Sequence, residues 1–168
     1  MAGLNRTERL QPSLLDRLTD LAPESRKDPP DQQVLTMAQL RRAVLRDLGW
    51  LMNATNLAAV EDLPAASLTA RSTLNFGIPG IAGMDALDGR AAPLERMVAD
   101  AIRTYEPRIR SETLQVRARP VRPGDGLPVL TLEISGELWA QPLPQQVFLE
   151  TSIELETRIA VVTDKGRG

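Results

Sequence analysis

The chain has 168 residues, 42% apolar and 25% charged, with a formal net charge of −2. That length holds one ordinary domain with a tail or two, and the near-zero charge argues against attraction to nucleic acid or an anionic membrane. Cys and His are both absent, which removes the thiol nucleophile, the disulfide frame, the commonest general base and the commonest zinc ligand together.

The start, "MAGLNRTERLQPSLLDRL", has no continuous apolar stretch, so neither a secretory signal nor a membrane span is predicted there. Residues 12–21, "PSLLDRLTDL", predict a short helix. Ser13 and Asp16 give a capping-box-like start, and Leu14, Leu15, Leu18 and Leu21 fall on one face. A proline-rich, charged stretch, "APESRKDPPDQQ", follows as a linker. Residues 1–33 are therefore expected to form an arm carrying a docking helix, followed by one domain over 34–162 and a disordered tail over 163–168. A helix this short needs something to pack on, either its own domain or a partner's groove.

Residues 36–52 predict the first long helix. Thr36 with Gln39 forms a capping box, and Met37, Leu40, Val44, Leu48 and Leu51 recur at steps of three and four. Arg41, Arg42, Arg46 and Asp47 lie mainly off that face. Gly49 marks either close packing or early fraying. Residues 53–92 show no sustained period, a connection of roughly 40 residues that is long for a compact domain. Its Leu74, Phe76, Ile78, Ile81 and Met84 are too apolar to be left in water. Residues 93–105 predict the second long helix, with Pro93 at its first position and Pro107 as its stop.

Three segments then alternate with period two: 114–120, 129–139 and 147–157. Short connections argue an antiparallel sheet with one buried face. The outer face carries Arg117 and Arg119 on the first segment. Glu133 and Glu137 on the second, and Glu150, Glu154 and Glu156 on the third, face them as opposite-charge partners. The fold class is α+β: two long helices on a curved antiparallel sheet of about three strands. The last segment contains no proline, glycine or lysine. As an exposed edge it would accept a partner strand, with Glu150 and Glu154 selecting a basic one.

Catalysis finds little support in the residues. No acidic cluster has metal-ligand spacing and no glycine-rich phosphate loop precedes a helix, so no cofactor is expected. The one enzymatic reading is a glycosidase with Glu106 as acid and a sheet carboxylate such as Glu133 as its pair. The arginines facing the sheet glutamates lower their pKa values rather than raise them. Two Trp, one Tyr and two Phe also make a sugar cleft a poor fit.

"PSLLDRL", "LRRAVLRDLGWLMN", "STLNFGIPG" and "YEPRI" occur in this order and at these distances over about residues 12–162. Together they resemble the TssE family of type VI secretion baseplate subunits. That family is similar to a phage-tail wedge protein long labelled lysozyme-like. "YEPR" carries most of the resemblance and "NFG" the next share. Gly80 departs from it, standing where the family more often has an acidic residue. The resemblance implies a non-enzymatic cytoplasmic part that binds wedge subunits and connects them to the first sheath ring, with no nucleic acid and no membrane insertion. The alternative is a lysozyme-like peptidoglycan hydrolase using Glu106. The expected partner-binding residues are Glu106, Pro107, Arg108, Leu14, Leu15, Leu18, Asn75, Phe76, Gly77, Glu150 and Glu154. Residues two apart about a proline project to one side. Glu106 and Arg108 are thus expected as an exposed, bipolar tip whose loss leaves stability nearly unchanged.

Overall fold

A computed structural model describes residues 12–19, 23–24, 35–64, 68–80, 91–121, 129–139, 145–154 and 159–165. Thr163 and Asp164, expected in the tail, belong to a strand, and residues 166–168 lie outside the described residues.

Three α-helices occur among the described residues, α1 (Leu14–Leu18), α2 (Met37–Asn53) and α3 (Ala91–Tyr105), with three short 3-10 turns between α2 and α3. The Thr36 box starts α2: Thr36 Oγ1 accepts from the Gln39 amide at 3.2 Å, and Gln39 Oε1 accepts from the Thr36 amide at 2.7 Å. Its buried face is Leu40, Ala43, Val44, Leu48, Leu51 and Met52. At Gly49 a Cβ would meet nothing within 4 Å, and α2 continues to Asn53. Gly49 thus marks neither close packing nor fraying. α3 begins two residues before Pro93 and buries Leu94, Val98, Ala99, Ala101 and Ile102.

The sheet has four strands, not three: β1 (Gln115–Val121), β2 (Val129–Leu138), β3 (Gln145–Glu154) and β4 (Ala160–Asp164), in the order β1-β2-β3-β4, all antiparallel. Leu114, Leu130, Leu132, Ile134, Leu138, Val147, Leu149 and Ala160 form the floor of the core. α3 lies over β1 and α2 over β4, so two helices roof one face of the sheet. The period-two pattern puts Arg117, Arg119, Glu133 and Glu150 on the other face. There Arg119 Nε is 3.2 Å from Glu133 Oε2, and Lys165 Nζ pairs with Glu150.

Each long helix also covers part of one edge of the sheet. On β1, the outward Ala118 amide donates to Glu95 Oε1 of α3 at 2.8 Å. Pro120, two residues on and of the same parity, has no amide hydrogen to offer. On β4, Asn53 of α2 bonds both backbone groups of Ala160. Arg41 of α2 grips Asp164 with two bonds of 2.8 Å.

Candidate interaction site

The turn after α3 brings five of the eleven expected residues together: Glu106, Pro107 and Arg108, with Leu15 and Phe76 beside them. Glu106 keeps a helical bond, donating its amide to Ile102 O at 2.8 Å, and accepts the Ile109 amide at 3.1 Å. Pro107 then forces the chain out of the helix. The outgoing backbone is stapled to the end of β2: Trp139 donates to Arg108 O at 2.7 Å and Arg110 to Glu137 O at 2.9 Å. Gly136 makes room for this approach, since a Cβ there would lie 3.0 Å from Ile109 Cγ2.

Glu106 and Arg108 do project to one side, but inward rather than as an exposed tip. Glu106 is 2% exposed. Arg108 Nε donates to its Oε1 at 2.6 Å, the Arg108 amide donates to the same oxygen at 3.2 Å, and Arg108 Nη2 pairs with Oε2. The expectation of an exposed tip fails because a carboxylate beside its own arginine can be buried without leaving a charge unpaired. Of the three, Pro107 alone is fully exposed, and Arg108 is partly buried.

The ion pair extends into a chain of alternating charges. Arg108 Nη2 also donates to Asp47 Oδ2 of α2 at 2.5 Å. Asp47 Oδ1 accepts Arg46 Nε at 2.8 Å. Arg46 Nη1 donates to Asp16 Oδ1 of α1 at 2.5 Å, and Asp16 Oδ2 accepts the Ser13 hydroxyl at 2.6 Å. The Arg46 guanidinium lies over the Trp50 ring, 4.8 Å from its centre. Burial alone would push the Arg108 pKa down. The bonds and charge of Glu106, then of Asp47, outweigh it and hold the guanidinium above its ordinary range. The hydrogen bond from Arg46 holds the Asp16 carboxyl below its ordinary range against a smaller opposing effect of burial, with Ser13 adding to the lowering.

Beside this chain lies a cavity of about 200 Å³ lined by Leu15, Asp47, Leu48, Trp50, Leu51, Phe76, Tyr105, Glu106 and Arg108. Phe76 meets Tyr105 edge to face with ring centres 5.3 Å apart. The Tyr105 hydroxyl donates to Ser72 O at 2.9 Å, and burial raises its pKa.

The other expected residues divide. Leu15 lines the cavity, whereas Leu14 and Leu18 point to solvent and no residue of α1 is buried. Asn75 and Gly77 hold the connection in place rather than face outward. Asn75 is buried, accepts the Ala58 amide through Oδ1 and donates to Ala70 O, both at 2.9 Å. Gly77 has φ +123°, and a Cβ there would lie 2.7 Å from the Ala54 carbonyl carbon. That approach lets Ile78 donate to Ala54 O at 2.9 Å and Asn56 to Ile78 O at 3.1 Å. Glu150 and Glu154 do not lie on a free edge, because β3 is paired with β2 on one side and β4 on the other. The tail segment supplies the strand that covers it. Asp16, Arg46, Asp47 and Tyr105 had no site role in the sequence reading. The only hint was an adjacent Arg–Asp pair in the turn of α2 that carries Leu48 and Leu51.

Among the described residues no group of carboxylates could hold a metal ion, and no helix is long and apolar enough to cross a membrane. Neither a curated protein nor a solved structure matched the chain. The family model for the baseplate wedge protein gp25 matches residues 38–143, a span that runs from α2 through the Glu106–Arg108 turn to the end of β2. The chain therefore belongs to the baseplate wedge protein gp25 family, the family that also contains the TssE proteins.

Proposed function

We propose that the chain is a non-enzymatic structural subunit of a type VI secretion baseplate, a TssE protein that binds wedge subunits on the cytoplasmic side and connects them to the first ring of the contractile sheath. The observation that carries this reading is the convergence of distant segments on one small cavity. Leu15 of the arm, Phe76 of "NFG", and Tyr105, Glu106 and Arg108 of "YEPR" all line it. A rigid, partly apolar cavity with a fixed arginine beside it suits recognition of a protein segment with little ordering cost.

The arrangement speaks against the hydrolase alternative. Both Glu106 oxygens are engaged by Arg108, so neither is free to face a substrate. Glu133 lies on the opposite face of the sheet, paired with Arg119. That placement counts against Glu133 as the second carboxylate of a glycosidase pair. On the sheath side, the outer edge of β4 beyond Ala160 is where a sheath strand would add.

The test is reconstitution from purified wedge and sheath subunits of the same system. Adding this chain is expected to nucleate sheath tubes visible by electron microscopy, with no release of peptidoglycan fragments in a parallel assay. Sheath assembly unchanged by the chain overturns the connecting role. Peptidoglycan turnover that disappears in Glu106→Gln establishes the hydrolase instead.

A further inference from the structure

The α1 helix is a poor fit as a permanent part of the domain. It has five residues, far short of the roughly 12–15 that stand alone in water, and none is buried. Its leucines remain largely in solvent: Leu14 is 70%, Leu15 50% and Leu18 73% exposed. Asp16 ties it to the body through Arg46, and partly exposed pairs of this kind contribute about 0–1 kcal/mol.

The receiving surface, by contrast, is built. Arg46 is fixed on α2 by Asp47 and stacked over Trp50, and Leu15 only half covers the cavity beside it. Arg46 Nη2 is shielded from solvent and 2.8 Å from Asp47 Oδ1, yet it makes no hydrogen bond of good geometry among the described residues. The occupant in place thus leaves one donor of the anchoring arginine unsatisfied and most of its own apolar surface wet.

We propose that Arg46 and the adjoining cavity form an anchor for a partner's helical segment that presents a leucine next to a carboxylate, and that α1 occupies this anchor in cis as a displaceable cover. The proposal deepens the assembly reading above by naming the chemistry of the partner segment. The carboxylate takes the place of Asp16 on Arg46 Nη1. The leucine takes the place of Leu15 over Leu48, Leu51 and Phe76. A longer helix satisfies both while burying the apolar surface that α1 leaves exposed. The cis cover keeps that apolar site shielded in the free subunit and lowers its apparent affinity by the fraction of time it is seated.

The test uses the full chain and a synthetic peptide of residues 12–21 as the probe, read by the Trp50 indole resonance, assigned with Trp50→Phe. In the Leu15→Ala/Asp16→Ala chain the cover is disabled. The peptide is expected to shift the resonance with an apparent Kd about tenfold or more below that in the unaltered chain, as an intramolecular competitor requires. Adding Arg46→Ala, or replacing the peptide's aspartate by alanine, is expected to abolish the shift. Equal apparent Kd values with and without the cover overturn the proposal. So does a shift indifferent to the aspartate, or no shift in any chain. No secretion subunit enters the assay, so it fails or succeeds independently of the sheath reconstitution.

Discussion

The Asn53 side chain bonds Ala160 as a neighbouring strand would. Its Oδ1 accepts the Ala160 amide at 2.9 Å and its Nδ2 donates to the Ala160 carbonyl at 2.9 Å. Nδ2 also donates to Gly49 O at 2.7 Å, which fixes the amide to the helix that carries it. Asn53→Ala is expected to lower stability by about 1–2 kcal/mol, since a net hydrogen bond contributes about 0.5–1.5 kcal/mol. Asn53→Asp keeps the acceptor and loses the donor, so it should fall between. Hydrogen exchange at the Ala160 amide checks the assignment: it should speed up in Asn53→Ala more than at any amide of β2.

The buried Glu106–Arg108 pair carries a larger expected effect. Removing one member leaves the other charge uncompensated, which costs about 3–5 kcal/mol at buried sites. Arg108→Ala should reach that range, because it strands the Glu106 carboxylate, whose side chain is almost fully enclosed. Glu106→Ala should cost less, because the Arg108 left behind has 23% of its side chain exposed and keeps Asp47 as a partner. Denaturant unfolding decides the matter, and unchanged midpoints for both variants would return the pair to the exposed tip that the sequence suggested.

Attachment of α1 should weaken in acid. The Asp16 pKa is lowered in the docked state. Its stabilising contribution is therefore complete above the ordinary Asp value of about 3.9 and is lost as pH falls through the lower docked value. Amide protection at residues 17 and 19, measured from neutral pH downward, should drop at the acid end. In Asp16→Asn it should be low throughout and no longer track this titration. Protection that is equally high in both chains at every pH refutes the dependence.

Two glycines to alanine should change stability in opposite directions. Gly49 sits in a helix with open space around it, so Gly49→Ala should add about 0.5–1 kcal/mol. Gly77 combines positive φ with backbone crowding from Ala54, so Gly77→Ala should cost about 1–3 kcal/mol and loosen the Thr55–Ile78 bridge. Thermal unfolding of the two variants under one condition gives the comparison.

The sequence was informative where the signal is local. The Thr36–Gln39 box and the three-and-four spacing of Leu40, Val44, Leu48 and Leu51 locate α2 to within a residue, and alternation locates β1 to β3 to within three. β4 carries no such signal: its five residues include two adjacent valines and too few positions to alternate. Missing it left β3 as an apparent edge. The site was half legible. Motif recognition brought Leu15, Phe76, Glu106 and Arg108 forward, and all four share one cavity. The inward turn of the Glu106–Arg108 pair was not legible, because Arg108 is held by Asp47, 61 residues before it. Asp16 and Arg46, 30 residues apart, escaped for the same reason. Charge alternation across separate segments leaves no periodic trace.

The partly covered edges of the sheet bear on how copies of this subunit can multiply. A sheet open at both sides can chain with its own kind without limit, as fibrils do. Here Glu95 and Pro120 blunt one side, and Asn53 seals the start of the other. What remains on the β4 side is the short run from Val162 to Asp164. A surface that admits one brief strand at one side, and little at the opposite side, yields a joint that stops after a single addition. A part of this shape limits how many copies of itself can join edge to edge.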